Sequence, residues 1–184
     1  LIPRNLPLNL EDKTAVKQVE QRMREFYFGN KSVASKNPEV WNRLVDLLSD
    51  YHFVIDFHLA VEQQVRLQPQ APLYCFRFNY IGEHNMYKNL FQMQNLRGAC
   101  HADELHYLFQ MVGDDSEWSE QDGKMARNFA KLWTNFAKYG NPTPEGSEVQ
   151  WTAVRKPQRA EDKVQIDYLA LDKEFKMMSN PEQE

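Results

Sequence analysis

The first third of the chain repeats apolar residues three or four positions apart, the spacing that places side chains on one face of an α-helix. Asn37 and Pro38 supply a capping residue and a first-turn proline, which favour a helix start. Gly29 and Pro69 are typical of residues that follow a helix end. The pattern therefore predicts three helices, over residues about 12–28, 38–49 and 53–67.

The pattern changes to a period of two in the stretch PLYCFRFNY, where aromatic residues occupy every second position from Tyr74 to Tyr80. Alternation of this kind predicts a β-strand with two different faces. A second, late strand is predicted in KVQIDYLALD, where Val164 and Ile166 begin a similar alternation. The polar tail from Lys173 onward is predicted to fray.

Residues 81–100 have no periodicity and predict a long loop, which ends at His101 and leads into a short helix from Asp103 to Met111. The best-defined helix is predicted from the cap Ser119 to the stop at Gly140. Its apolar stripe consists of Met125, Phe129, Leu132, Trp133 and Phe136. Phe129, Trp133 and Phe136 are predicted to be core.

Composition narrows the class of protein. With 184 residues, 42% of them hydrophobic, the chain can bury a sizeable core and is not expected to be disordered. A net charge of −4, with its cationic residues scattered, argues against a nucleic-acid partner. No apolar run is long enough to predict a membrane span, and the N-terminus does not resemble a signal peptide. A cytoplasmic location is predicted, with secretion as the alternative.

Candidate chemistry is limited by what the chain lacks. None of its seven serines lies in a G-x-S-x-G turn, so no nucleophilic serine can be assigned. His101 and His106 are five positions apart, where a helical metal pair needs four, and no second cluster could complete a coordination sphere. Glycine-rich nucleotide motifs are absent as well. The sequence therefore predicts neither a metal nor a cofactor.

One string carries a family resemblance. GACHADELHYLF, residues 98–109, resembles the histidine motif of the type B carboxylesterase and cholinesterase family, and it matches that motif at His101, Glu104 and Phe109. APLYCFRFNY is similar to the strand before that motif, and MARNFAKLWTNFAKYGNPTP is similar to the long helix after it. CHADEL and the upstream FYFGNKS most resemble the insect α-esterase branch.

The resemblance implies an α/β fold, namely the C-terminal part of an α/β hydrolase whose central, mostly parallel sheet is flanked by helices. Residues 1–184 would be the C-terminal segment of a single catalytic domain. The family's nucleophilic serine and triad glutamate would lie upstream, in an N-terminal portion that is the expected partner of this chain.

His101 is the residue that the resemblance identifies as catalytic. It would take a proton from the serine and return it to the leaving alcohol, which suits an imidazole because its pKa lies near neutral pH. Glu104 would support the loop through buried hydrogen bonds. Asp103 is rejected as a triad acid, because a side chain two positions along the backbone is badly placed to reach the far ring nitrogen.

Three aromatic residues are predicted to line a substrate pocket because similar insect esterases have aromatic residues there: Tyr87, His52 and Phe53. An apolar pocket suits an uncharged ester. For Phe53 a plain core role is an equal alternative.

Two further functions compete with a serine esterase that hydrolyses apolar esters. One is a non-catalytic interaction domain, since the family includes adhesion proteins that keep the fold. The other is a slow-turnover scavenger of xenobiotics or organophosphates, which would use the same residues. Retention of His101 favours an enzyme over the adhesion domain, because an adhesion protein has no need of an imidazole in this loop.

Overall fold

A computed structural model describes residues 9–34, 37–109, 117–159 and 161–180. The chain divides into two compact units, Leu1–Ala60 and Val61–Glu184.

The first unit is helical. Helix α1 (Lys13–Phe28) begins where the Asp12 carboxylate accepts hydrogen bonds from two first-turn amides, and it ends at Gly29. Helix α2 (Pro38–Ser49) begins at the side chain of Asn37. The two helices bury Phe28, Val40 and Leu47 in a shared apolar cluster. Both predicted helices are confirmed, because capping residues and the apolar stripe specify the same boundaries.

The third predicted helix is continuous with the second. A π-helical segment, Asp50–Val54, follows α2 directly and leads into helix α3 (Ile55–Leu67), which contains the boundary between the units. At its start the Asp50 carboxylate accepts a hydrogen bond of 2.6 Å from the Tyr27 hydroxyl. Burial and that carboxylate raise the pKa of Tyr27 well above its ordinary value. The predicted start at residue 53 therefore lies inside the π-helical segment.

The second unit contains a three-stranded mixed sheet. Strand β1 (Cys75–Phe78) pairs in parallel with β2 (Asp167–Leu171), and β2 pairs in the antiparallel sense with β3 (Phe175–Ser179). Both predicted strands are confirmed.

Helices pack against both faces of this sheet because side chains alternate along each strand. Leu169 and Leu171 of β2 face one apolar cluster, which includes Phe129 of helix α6 (Glu120–Tyr139). Tyr168 faces a second cluster with Val61 and Val65 of α3. Phe129, Leu169 and Leu171 are fully buried, so these layers form the core of the unit.

Several expectations for the second unit need correction. The predicted loop over 81–100 contains a short helix, α4 (Met86–Leu90), and another short helix, α5 (Leu105–Leu108), follows His101. The last residues predicted for that second helix, 110–111, lie outside the described part of the chain. Phe136 of the predicted core stripe is 49% exposed, although its ring touches that of Tyr74.

The tail does not fray over its described part. Residues 175–179 form β3, because their backbone groups pair with β2, Phe175 and Met177 pack on the cluster around Phe129, and Met178 packs on the second cluster. Alternation of Phe175 and Met177 was the signal for this strand, and the surrounding lysines and acids obscured it. Residues 181–184 lie outside the described part.

Candidate active site

His101 lies in a turn between α4 and α5, and its side chain is exposed. The next residue, Ala102, has a backbone φ of +69°, in the left-handed region that favours glycine. A non-glycine residue holds this conformation only where the surrounding contacts enforce it. The conformation of the turn at His101 is therefore fixed by its surroundings.

Asp103 is the residue that closes this turn. Its side chain is fully buried, and its Oδ2 accepts a hydrogen bond of 2.7 Å from the backbone amide of Cys100. The Asp103 amide donates in return to the Cys100 carbonyl at 3.2 Å. Two hydrogen bonds thus join Cys100 and Asp103, the residues on either side of His101 and Ala102. Oδ1 of Asp103 has no hydrogen-bond partner among the described residues.

Asn85, just before α4, donates a hydrogen bond to the Asp103 carboxylate. Its Nδ2 donates to Asp103 Oδ2 at 2.8 Å and to the Tyr80 carbonyl at 3.0 Å. Its Oδ1 accepts from the Gly82 amide at 2.8 Å and from the Tyr107 hydroxyl at 2.9 Å. Asn85 is 1% exposed, so this one amide joins four parts of the loop region inside the protein.

Asp122, in the first turn of α6, is a second buried centre. Its carboxylate accepts hydrogen bonds from the Tyr80 hydroxyl at 2.6 Å and the Glu83 amide at 2.9 Å, and His84 Nδ1 lies 3.2 Å away. Burial raises the pKa of Asp122, but the hydrogen bonds from Tyr80, His84 and Glu83 outweigh it, so the pKa lies below its ordinary value. Burial and the hydrogen bond to Asp122 raise the pKa of Tyr80.

The pair of Asp122 and His84 has the composition of an acid and base in a catalytic triad. Its position argues for a structural role, because the His84 ring is 6% exposed and stacks on Trp118 with ring centres 4.0 Å apart. A general base must reach a reacting group in an open site. Of these two histidines, the exposed His101 is therefore the better candidate.

Lys88 of α4 fixes the backbone that precedes His101. The buried ammonium donates to the carbonyl oxygens of Leu96 at 2.6 Å and Gly98 at 2.5 Å. Two contacts of α4 and its cap, Lys88 to Gly98 and Asn85 to Asp103, therefore hold the chain before and after His101.

The predicted pocket and supporting residues lie in both units of the chain. Tyr87 lies on α4 and is 38% exposed. Glu104 is half-buried, and within the described parts of the chain no hydrogen bond of its carboxylate is found; the buried hydrogen bonds predicted there are made by Asp103. His52 and Phe53 lie in the π-helical segment of the first unit, where both are exposed. Phe53 is thus not a core residue of that unit.

Sequence reasoning missed the buried polar residues behind the turn. Asn85, Lys88 and Asp122 are polar residues in loops or first turns, where exposure is the rule. Ser119 three positions before Asp122 indicated only a helix start, and the cap is confirmed by its hydrogen bond to the Asp122 amide. No local signal distinguishes these side chains from solvated ones.

The described residues contain neither a metal-binding cluster nor a membrane-spanning helix. No group of three or more histidine, cysteine, aspartate or glutamate side chains is arranged to hold a metal ion in residues 9–34, 37–109, 117–159 and 161–180. Within the same ranges, no helix has both the length and the apolar character that a bilayer crossing requires.

Known proteins whose sequences are similar to this chain indicate one family. Residues 3–184 match the carboxylesterase family. A juvenile hormone esterase of Tribolium castaneum is 30% identical over 141 residues, which cover 73% of this chain and 24% of that protein. An acylcarnitine hydrolase of Rattus norvegicus is 28% identical over 125 residues, which cover 66% of this chain and 20% of that protein. The chain spans about a quarter of these relatives' length.

Solved structures give the fold. A carboxylesterase of Geobacillus stearothermophilus superimposes with a TM-score of 0.57 at 16% identity, over 91% of this chain and 32% of that one. A PNB esterase gives 0.56 at 20% identity over the same shares. The mixed sheet with helices on both faces is therefore part of an α/β-hydrolase fold. The chain belongs to the carboxylesterase family.

Proposed function

We propose that this chain supplies the acid–base histidine, His101, of a serine carboxylesterase. The nucleophilic serine and the acidic triad residue would be contributed by an N-terminal portion of the same hydrolase. The observation that carries the proposal is the placement of the motif histidine: it is exposed, while the turn around it is fixed by buried hydrogen bonds. An acid–base group needs both access and a fixed position.

In the proposed reaction His101 accepts the serine proton as the serine oxygen bonds to the ester carbonyl carbon. The imidazolium then gives that proton to the departing alcohol, which leaves an acyl-enzyme. In the second half, His101 takes a proton from water as water attacks the acyl group, and returns it to the serine oxygen. The acid is released and the enzyme is regenerated.

Apolar esters are the proposed substrates, with Tyr87, His52 and Phe53 as pocket residues. Exposed aromatic rings at Tyr87 and Phe53 agree with this proposal because an ester without charge binds to apolar surface. Membership of the carboxylesterase family supports ester hydrolysis as such.

A cytoplasmic location, with secretion as the alternative, is tested by fractionating the source tissue.

The experiment replaces His101 by Ala in the complete hydrolase and measures hydrolysis of p-nitrophenyl butyrate. We expect kcat/KM to fall by about 10²–10⁴-fold, the usual contribution of a positioned acid–base group. His106→Gln is the matched control, since His106 follows five positions later on α5 and is buried away from solvent. Near-normal turnover by the His101 variant would exclude the proposed role.

A second measurement separates the alternative functions. The unsubstituted hydrolase is mixed with a fluorophosphonate probe and with the chromogenic ester. Sustained turnover with stoichiometric labelling indicates an esterase, and a single burst without turnover indicates a scavenger. An adhesion domain would show neither labelling nor turnover. Intact mass spectrometry of the purified protein then shows whether an N-terminal portion accompanies this chain.

A further inference from the structure

We propose that Asp103 and Asn85 are positioning residues, which fix the backbone on both sides of His101 and thereby direct its imidazole. This inference rests on the proposed function of His101.

The first step is the span of the contact made by Asp103. One carboxylate oxygen reaches back across His101 and Ala102 to the amide of Cys100, and the Asp103 amide meets the Cys100 carbonyl. The ends of a four-residue turn are thereby joined at two points. The direction in which the His101 side chain leaves the backbone follows from the shape of that turn.

The second step is the support of Asp103 by Asn85. The Asn85 Nδ2 donates to the same oxygen, Oδ2, that accepts from Cys100. Both lone-pair directions of that oxygen are therefore occupied, which defines the rotation of the carboxylate. Asn85 is itself fixed through Tyr80, Gly82 and the hydroxyl of Tyr107.

The third step is burial. Asp103 is 0% and Asn85 is 1% exposed, so water does not compete for these hydrogen bonds. The constraint is strong enough to hold Ala102 at its positive φ. A reacting group held by such a turn stays within the small displacement that catalysis tolerates, since a misplacement of about 1 Å costs about 100-fold in rate.

A positioning residue and a triad acid differ in how they respond to an amide. In Asp103→Asn, the amide oxygen can accept from Cys100 and Asn85 as Oδ2 does, and the NH₂ group takes the place of Oδ1. The turn is preserved while the charge is removed. A triad acid replaced by its amide loses about 10⁴-fold in kcat, as known for a serine protease.

The test uses the complete hydrolase with p-nitrophenyl butyrate. For Asp103→Ala and for Asn85→Ala we expect kcat to fall about 100-fold with little change in KM, because only alignment in the transition state is lost. Asp103→Asn should restore kcat and leave the apparent pKa of the kcat/KM profile unchanged. If Asp103→Ala does not fold, Asp103→Ser replaces it, since a hydroxyl can still accept from Cys100 but is too short to reach Asn85.

Asp167→Ala is the matched control. This aspartate is also buried in the second unit and accepts hydrogen bonds from Arg155 and Ser179, away from the turn. Its loss should lower thermal stability and leave kcat unchanged. All rates are measured well below each variant's melting temperature.

The outcomes separate this inference from the proposed function. If His101→Ala is inactive and both alanine variants keep a normal kcat, the positioning role is wrong and the proposed function stands. A kcat for Asp103→Asn as low as that of Asp103→Ala, together with a shifted pH profile, would overturn positioning in favour of a charge effect. Full activity of His101→Ala overturns the proposed function itself.

Discussion

A methyl group at Gly82 would occupy space that the buried polar network already fills. A Cβ atom there would lie 2.0 Å from Asp122 Oδ1, 2.5 Å from the Tyr107 hydroxyl and 2.6 Å from Cε1 of Tyr80. Normal van der Waals contact needs about 3.5 Å. Each of these groups is fixed by hydrogen bonds, so none can move aside without breaking a buried contact.

Two contributions determine how much Gly82→Ala lowers the free energy of unfolding. Overpacking a filled interior costs about 1–3 kcal/mol. Displacing Asp122 also stretches its bond to the Tyr80 hydroxyl, which is 2.6 Å long, and loss of a buried hydrogen bond costs about 1–3 kcal/mol. Gly82→Ala should therefore lower the free energy of unfolding by about 2–6 kcal/mol.

Gly123→Ala provides the control. Gly123 lies in helix α6, where the nearest atom to a new Cβ is the mobile end of Arg127, at 3.1 Å. Alanine in a helix is favoured over glycine by about 0.5–1 kcal/mol, so this variant should be as stable as the unsubstituted protein or more so.

The assay is urea unfolding of the complete hydrolase, followed by its total tryptophan fluorescence, to which Trp118 contributes through a ring that stacks on His84. We expect the midpoint of Gly82→Ala to shift to lower urea and that of Gly123→Ala to stay or rise. Equal midpoints for the two variants would refute the packing that the structure shows around Gly82.

Two further predictions concern ionisable groups. Burial raises the pKa of Asp167, but hydrogen bonds from Arg155 and Ser179 outweigh it, so the folded-state pKa is lowered and the stabilisation, complete above about pH 4, is lost as pH falls through that pKa. Asp167→Asn should thus flatten the acid limb of melting temperature against pH; an unchanged limb contradicts this. Burial raises the pKa of Cys75 to about 11 and also raises that of Cys100. Iodoacetamide should label Cys75 only after denaturation, and rapid labelling of the folded protein would contradict its burial.

Much of the secondary structure could be predicted from the sequence, because local chemistry specifies it. The caps Asn37 and Ser119 and the stop at Gly140 act within one or two turns, and the observed helices begin and end beside them. The aromatic alternation up to Tyr80 likewise predicted β1. Strand β3 was missed because the charged residues around Phe175 and Met177 obscure a short alternation, and only pairing with β2 decides its conformation.

Of the candidate site, too, only a part could be predicted from the sequence. The motif around His101 indicated the family without any coordinates, and the family is confirmed. Glu104 was expected to make the buried hydrogen bonds that Asp103 makes, because the motif gives residue types and not the direction in which each side chain leaves the turn. That direction depends on the positive φ of Ala102.

The sequence by itself determined where the long helices α1, α2 and α6 begin and end and which faces are apolar, since each of these depends on neighbours along the chain, and its histidine motif indicated the family. Only the tertiary structure decided that Asn85, Asp103 and Asp122 are buried together. Some of their hydrogen bonds join segments 18 to 42 residues apart, and no local pattern encodes a contact between side chains that the fold brings together. The physical reason is desolvation: a polar side chain loses its water only when distant parts of the chain close over it.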